Sequence, residues 1–191
     1  MTFREFIRLM RSDFFRYMRT PTTSQIISHW FLTPGVKYSF YMRLSRYLRS
    51  KPLKAFGLLI VLQAILHHYR IKFGIDIPDT TNIGSGFYIG HFGGIVVNSH
   101  SVIGRDCNIS HGVTIGRLNR GERMGCPVIG ERVFIGPGAK ILGGITIGDD
   151  VAIGANCVVA TDIPSNSVVV GNPGKVISQA GSTGYINNID Y

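Results

Sequence analysis

Apolar residues in the second half of the chain recur at an interval of six. Ile83, Ile89 and Ile95 open the series, Ile103, Ile109 and Ile115 continue it, and Ile129, Ile135, Ile141, Ile147, Ile153 and Val159 complete it. Eight of them are followed directly by glycine: Gly84, Gly90, Gly104, Gly116, Gly130, Gly136, Gly148 and Gly154. A helix repeats about every 3.6 residues and a strand about every 2, so a sustained six fits neither alone. A short strand plus a turn, repeated and stacked, fits it and predicts a parallel β-helix.

The residue two before each ladder position should also point inward and be small or apolar. Those positions are Phe87, Gly93, Cys107, Val113, Val133, Ala139, Ile145, Val151 and Cys157, which makes Cys107 and Cys157 core fillers. Three hexapeptides close one triangular coil of about 18 residues. The register breaks twice. Ile95 and Ile103 are eight positions apart, which places a two-residue insertion around His100. Ile115 and Ile129 are fourteen apart, so a polar loop, roughly Arg117–Cys126, leaves the coil. A loop thrown from a rigid scaffold is where function concentrates.

Upstream the spacing is helical. Thr2 caps a helix over residues 2–20, with Glu5 three positions on and Phe3, Phe6, Ile7, Met10, Phe14 and Tyr17 at helical intervals. Pro21 and the Thr/Ser cluster after it break the pattern. A second helix is expected from about Lys37 to Arg49, and a third, beyond Pro52, from about Leu53 to Ile71. The organisation is therefore a helical region over 1–73, a β-helix over 74–177 carrying the external loop 117–126, and a polar tail over 178–191. The last dozen residues are expected to be poorly ordered.

Charge sharpens this division. The formal net charge is +9, but residues 1–73 hold 13 Lys/Arg against two acids, and residues 74–191 hold seven against nine. The basic helical region suits a solvated surface, or peripheral contact with an anionic membrane face or an anionic substrate. No binding motif accompanies the charge, so nucleic acid is not an expected partner. Three cysteines without paired spacing argue against a disulfide framework or a zinc site. Scattered N-terminal charges are unlike a cleavable signal, and the longest apolar run, Phe56–Leu66, is too short to span a bilayer. A cytoplasmic location is expected, with the inner face of the cytoplasmic membrane as an associated address.

The ladder resembles the hexapeptide-repeat acyltransferases. Gly90-His91-Phe92-Gly93-Gly94-Ile95-Val96-Val97, Gly112-Val113-Thr114-Ile115-Gly116, Gly138-Ala139-Lys140-Ile141-Leu142-Gly143 and Gly171-Asn172-Pro173-Gly174-Lys175-Val176 resemble the serine O-acetyltransferase branch. The resemblance covers about residues 75–178 and implies a left-handed β-helix, a homotrimer with active sites between subunits, acetyl-CoA as co-substrate and no metal. It implies that His91 is the general base and that Asp76 orients it. A hydroxyl must lose its proton as it attacks a thioester; a neutral imidazole takes it, and a carboxylate behind the ring fixes the tautomer. Backbone amides near the coil turns would stabilise the oxyanion. The resemblance places CoA in a groove between β-helices, along Gly116, Gly138, Ala139, Gly154 and Ala155, with Arg132, Lys140 and Lys175 as candidates for its phosphates.

The pattern departs from that branch at Gly90, where the branch carries Asp, and at Gly125-Cys126-Pro127, where it carries Arg-His-Pro. The missing groups are those that hold an amino acid's charges, and the loop end resembles acetyltransferases of surface-polysaccharide clusters, of colanic-acid type. The favoured acceptor is therefore a saccharide hydroxyl, facing a loop with Arg117, Arg120 and Cys126. L-serine is the alternative, and a non-catalytic β-helical scaffold a second. The register adds one site residue. His91 and His111 each follow a ladder isoleucine by two and should stack at one corner of adjacent coils, with His111 as an auxiliary to the base; Asp76 should fall one coil below Gly94. His91, His100 and His111 lack the close pair a zinc site needs.

Overall fold

In the computed structural model, residues 1–19, 22–51 and 56–191 are described. Among these, four helices precede a three-faced coil of parallel strands, the parallel β-helix that the repeat predicts and, as the family resemblance implies, a left-handed one. The first face stacks β1 (Ile75–Asp76), β4 (Ile95–Val97), β7 (Thr114–Gly116), β10 (Lys140–Leu142) and β13 (Val158–Val159). The second stacks β2 (Asn82–Ile83), β5 (Val102–Ile103), β8 (Val128–Ile129) and β11 (Thr146–Ile147). The third stacks β3 (Tyr88–Ile89), β6 (Asn108–Ile109), β9 (Phe134–Ile135), β12 (Ala152–Ile153), β14 (Val168–Val170) and, antiparallel at its end, β15 (Lys175–Ser178). The ladder residues fill the interior, and so do Cys107, Val113, Val133, Ala139, Ile145, Val151 and Cys157, all buried.

One register expectation is corrected. Ile75 pairs with Ile95, Val97 with Ile115, and Ile89 with Ile109. The corner from Ile89 to Val97 is therefore eight positions long where Ile109 to Ile115 is six, so the two extra residues lie at Phe92–Gly93 and not at His100. Val97, not Ile95, continues the ladder, and Ile95 takes the inner position assigned to Gly93, which sits in the turn at φ +105°. Asp76 accordingly faces Val96 rather than Gly94. The sequence alone cannot separate these alignments, because Ile95 and Val97 are both apolar and both buried.

The helices are α1 (Phe3–Tyr17), α2 (Thr23–Leu32), α3 (Pro34–Arg49) and α4 (Phe56–Phe73). A β-helix that simply began would leave the backbone groups of its first coil unpaired. Side chains from α1 and α3 satisfy them. The Tyr38 hydroxyl bonds both the carbonyl and the amide of Ile77, at 2.9 and 3.1 Å, and Tyr17 does the same for Ile89 at 3.2 and 2.9 Å. Asp13 accepts the Phe87 amide at 2.9 Å and Ser12 the Gly86 amide at 3.0 Å. Arg43 donates to the carbonyls of Ile83 and Gly84 at 2.7 and 2.6 Å, and Arg16 to that of Gly86 at 2.8 Å. The helical region thus caps the β-helix and shares its core, with Tyr38, Met42, Leu66 and Phe73 packed against the first ladder residues. Part of its basic charge is structural.

Helix α2 was not expected. The Thr/Ser cluster read as a break is a start signal: Thr22 and Gln25 form a capping box. None of its residues is buried, and Ile26, Ile27, Phe31 and Leu32 face outward, so no apolar stripe marks it. Trp30 holds it to α3, its ring 4.9 Å from that of Phe40. Pro34 begins α3 at its first turn, three residues before the expected start. Pro21, Pro52 and the expected start at Leu53 lie outside the described residues. The tail is also corrected: Tyr185 stacks on Phe134 at 4.3 Å, the Tyr191 hydroxyl donates to Asp106 at 2.7 Å, and Arg16 donates to the Asn187 carbonyl at 2.7 Å. Its aromatics, sparse among polar residues, are the anchors.

Candidate active site

The corner between the third and first faces carries the chemistry. His91, His111, Pro137 and Ala155 each follow by two a ladder residue of the third face, and those ladder residues are in register. The four side chains therefore form a column. Behind it Gly94, Gly112 and Gly138 turn the chain at φ +66°, +70° and +72°. The turn requires glycine twice over: a Cβ on Gly112 would stand 3.3 Å from the Gly138 Cα in a left-handed conformation. This stacking brings the imidazoles of His91 and His111 to 5.9 Å between centroids, with ring planes 77° apart. Both are exposed.

Beside His91 lies a cavity of about 260 Å³ lined by Tyr88, Gly90, Asn108, Ser110, Phe134 and Pro137 among others. Tyr88, Asn108 and Phe134 occupy one column of the third face. The sequence reading missed them, although a signal existed: each immediately precedes a ladder isoleucine and so points outward on the face that ends at His91 or its equivalents. The buried Asn108 is fixed from both sides, accepting from Arg16 at 2.6 Å and donating to the Tyr185 carbonyl at 2.9 Å. The tail, through Tyr185, thereby borders the cavity wall at Phe134.

The other expected site residues are only partly gathered here. Asp76 is on β1, and its carboxylate meets Arg70 at 3.1 Å; among the described residues it has no hydrogen bond to His91. Arg132 is on a different corner, between the second and third faces, and grips Asp150 with two bonds of 2.7 and 2.8 Å. Its guanidinium is thus already matched by a carboxylate, which holds the Asp150 carboxyl below its ordinary range. Lys140 points back along the first face, donating to the Gly112 carbonyl at 2.5 Å and to Thr114 at 3.0 Å, and so braces the turn that carries His111. Ala139 is fully buried and belongs to the core, not to a groove. Gly138, Gly154 and Ala155 do lie on the histidine corner; Gly116 is on the first face under Leu142, and Lys175 is exposed on β15.

The loop is a small hairpin. Leu118 and Gly125 exchange two backbone bonds of 3.0 Å, and Arg123 is tied to Asp162 at 2.9 Å. Arg117 and Arg120 are exposed, and Cys126 donates to Asn98 at 3.3 Å. Among the described residues no group of three or more His, Cys, Asp or Glu is arranged to hold a metal, and no helix is long and apolar enough to cross a membrane.

The three-faced coil and its histidine corner define a class. Residues 126–161 match the family described as Bacterial transferase hexapeptide (six repeats), and the chain belongs to the hexapeptide-repeat transferases. Relatives of the chain there include serine acetyltransferases. That of Helicobacter pylori is 37% identical over 148 residues, covering 78% of this chain and 84% of that protein. That of Mycobacterium tuberculosis is 39% identical over 160 residues, covering 84% of this chain and 66% of that protein. Among solved structures, the serine acetyltransferase of Brucella abortus superposes with a TM-score of 0.76 at 31% identity, over 95% of this chain and 72% of the other. That of Neisseria gonorrhoeae in complex with serine gives 0.72 at 30%, over 90% and 69%. The chain spans less than two thirds of some of these relatives, 61% of the Entamoeba histolytica isoform 3 chain. The likenesses favour the serine alternative over the saccharide acceptor of colanic-acid type, which they do not support.

Proposed function

We propose that the protein is an acetyl-CoA-dependent O-acetyltransferase whose acceptor is L-serine. The observation that carries this is His91 at the exposed corner of a β-helix whose relatives are serine acetyltransferases. His91 takes the proton of the serine hydroxyl as its oxygen attacks the thioester carbonyl of acetyl-CoA. The tetrahedral intermediate collapses, the C–S bond breaks, and the proton returns from His91 to the departing thiolate, giving O-acetylserine and CoA. Transfer is direct, without an acyl-enzyme. His111, 5.9 Å from His91, helps to position the hydroxyl. Asp76 is held by Arg70, so orienting His91 through it requires that pair to open. The turns at Gly138 and Gly154–Ala155 offer CoA a close approach, with Lys175 at the same end of the coil.

Serine brings a carboxylate and an ammonium. Gly90, Gly125 and Cys126 offer neither charge, so the exposed Arg117 and Arg120 of the hairpin are the carboxylate's partners in this proposal, reaching a neighbouring subunit's histidine corner within a homotrimer. Their charge is what supports the assignment. The exposed apolar residues of α2 and α4, Phe31, Leu32, Leu58 and Val61 among them, with the basic helical region, support peripheral contact with an anionic membrane.

The test is CoA release from acetyl-CoA with L-serine and, separately, with a panel of sugars. Saturable turnover with serine, with KM raised in Arg117→Gln/Arg120→Gln, is expected. No turnover with serine alongside turnover with a sugar would overturn the acceptor; no CoA release and no acetyl-CoA binding would leave a scaffold.

A further inference from the structure

Another cavity lies away from the histidine corner. It measures about 680 Å³, within the range of roughly 300–1,000 Å³ typical of small-molecule sites, and lies between α1, the turns around Ser85 and Arg105, and the tail. Arg4, Arg8 and Arg11 line it from α1, where spacings of four and three place them on one helix face. Among the described residues, none of the three makes an ion pair. Arg105 faces them from the β-helix and is shared with Glu131 at 2.7 Å. The one acid in the lining, Asp106, is buried and already matched by the Tyr191 hydroxyl at 2.7 Å and by Arg16 at 3.9 Å.

Two features make this more than a solvated basic surface. An arginine in the first turn of a helix opposes its macrodipole, so Arg4 stands where its charge is disfavoured, and the Glu5 carboxylate of that turn is engaged with the Thr2 amide in the capping box rather than paired with an arginine. The same cavity also has an aromatic wall: Phe15 and Tyr191, with ring centroids 5.8 Å apart. Three guanidiniums without an ion pair among the described residues, and an aromatic pair in the same concave site, match a ligand with clustered phosphates at one end and a flat ring at the other.

We propose that this cavity binds a nucleoside polyphosphate, the phosphates on Arg4, Arg8 and Arg11 and the base against Phe15 and Tyr191. The site is separate from the histidine corner and independent of which hydroxyl the enzyme acetylates. Binding there joins α1 to the tail, whose Tyr185 stacks on the Phe134 wall of the His91 cavity.

The experiment is calorimetric titration of the full-length protein with ATP. One ATP per chain is expected, weakened at least about tenfold by Arg8→Gln, since charged hydrogen bonds of this kind exceed the free energy of a tenfold change. Lys72→Gln, which removes an exposed charge on α4 away from the cavity, should change binding by less than about twofold at the same ionic strength. Inorganic triphosphate should bind more weakly than ATP, because it lacks the ring. Four results would overturn the proposal: no ATP binding at millimolar concentration, equal loss in both variants, displacement of ATP by CoA, or loss in Arg8→Gln only of binding to phosphatidylglycerol vesicles.

Discussion

His91 and His111 hold equivalent places on consecutive coils, their imidazole centroids 5.9 Å apart and their planes 77° apart. Only His91 stands at the lengthened turn, with the Phe92–Gly93 insertion beside it and the 260 Å³ cavity against it. The two rings are therefore not interchangeable. Replacing His91 with Ala should lower kcat/KM by about 10²–10⁴, the usual worth of a general base. His111→Asn should cost less than about 10² and act more on KM for the acceptor. CoA release, measured against both substrates, checks the pair, and equal losses at the two positions would remove the distinction.

The cap has its own test at Arg43. This side chain is 1% exposed, forms a two-bond pair with Asp13 at 3.0 and 3.2 Å, and holds two first-coil carbonyls. Arg43→Ala leaves the buried Asp13 carboxylate without its cation, holding only the Phe87 amide, and leaves those carbonyls without the guanidinium donor. Breaking a buried pair from one side costs about 3–5 kcal/mol, a large part of the roughly 5–15 kcal/mol that keeps a domain folded. Urea unfolding should show a loss of that size, and a loss below about 1 kcal/mol would mean that water or a neighbour replaces the guanidinium.

The β-helix was legible because its repeat is repeated: a dozen aliphatic positions constrain one another, and a local ambiguity such as Ile95 against Val97 shifts only one corner. The histidine stack was legible for the same reason, since Ile89 and Ile109 carry it whichever corner takes the insertion. The helical cap was legible only as helices. That Tyr17, Tyr38 and Arg43 reach first-coil backbone depends on contacts between residues 39 to 72 positions apart, and no local pattern encodes these. Helix α2 has an exposed apolar surface and so no stripe to read. Arg132 shows the limit for site residues. Its charge is visible in the sequence, but Asp150, one coil away, decides that the charge is already matched.

Cysteine chemistry separates the core from the loop. Cys107 and Cys157 are fully buried in the ladder, and burial pushes both thiols up, Cys107 to about 12. Neither forms appreciable thiolate at neutral pH, and neither is reachable. Cys126, at the end of the hairpin, is partly exposed. Iodoacetamide on the native protein should therefore label Cys126 alone, as read by peptide mass spectrometry, and all three after unfolding. In the direct transfer proposed, Cys126 forms no bond to the acetyl group, so Cys126→Ala should retain activity. An acetylated Cys126 trapped during turnover would overturn that.

The Arg132–Asp150 pair gives a pH dependence with a definite sign. Hydrogen bonds from Arg132 hold the Asp150 carboxyl below its ordinary value in the folded protein. An acid with a depressed folded pKa contributes stability above its unfolded value, about 3.9, and loses it as pH falls through the folded one. Asp150 adopts φ +57°, a left-handed conformation that asparagine tolerates, so Asp150→Asn removes the charge without straining the turn. The variant should be less stable than the wild type at pH 7 by a constant amount down to about pH 5. Below about pH 4 the gap should narrow as the wild-type carboxylate takes up its proton. Urea unfolding at pH 7, 5, 4 and 3 reads the gap directly, and a gap that widens on acidification would reverse the assignment of Arg132 as the partner that matches this carboxylate.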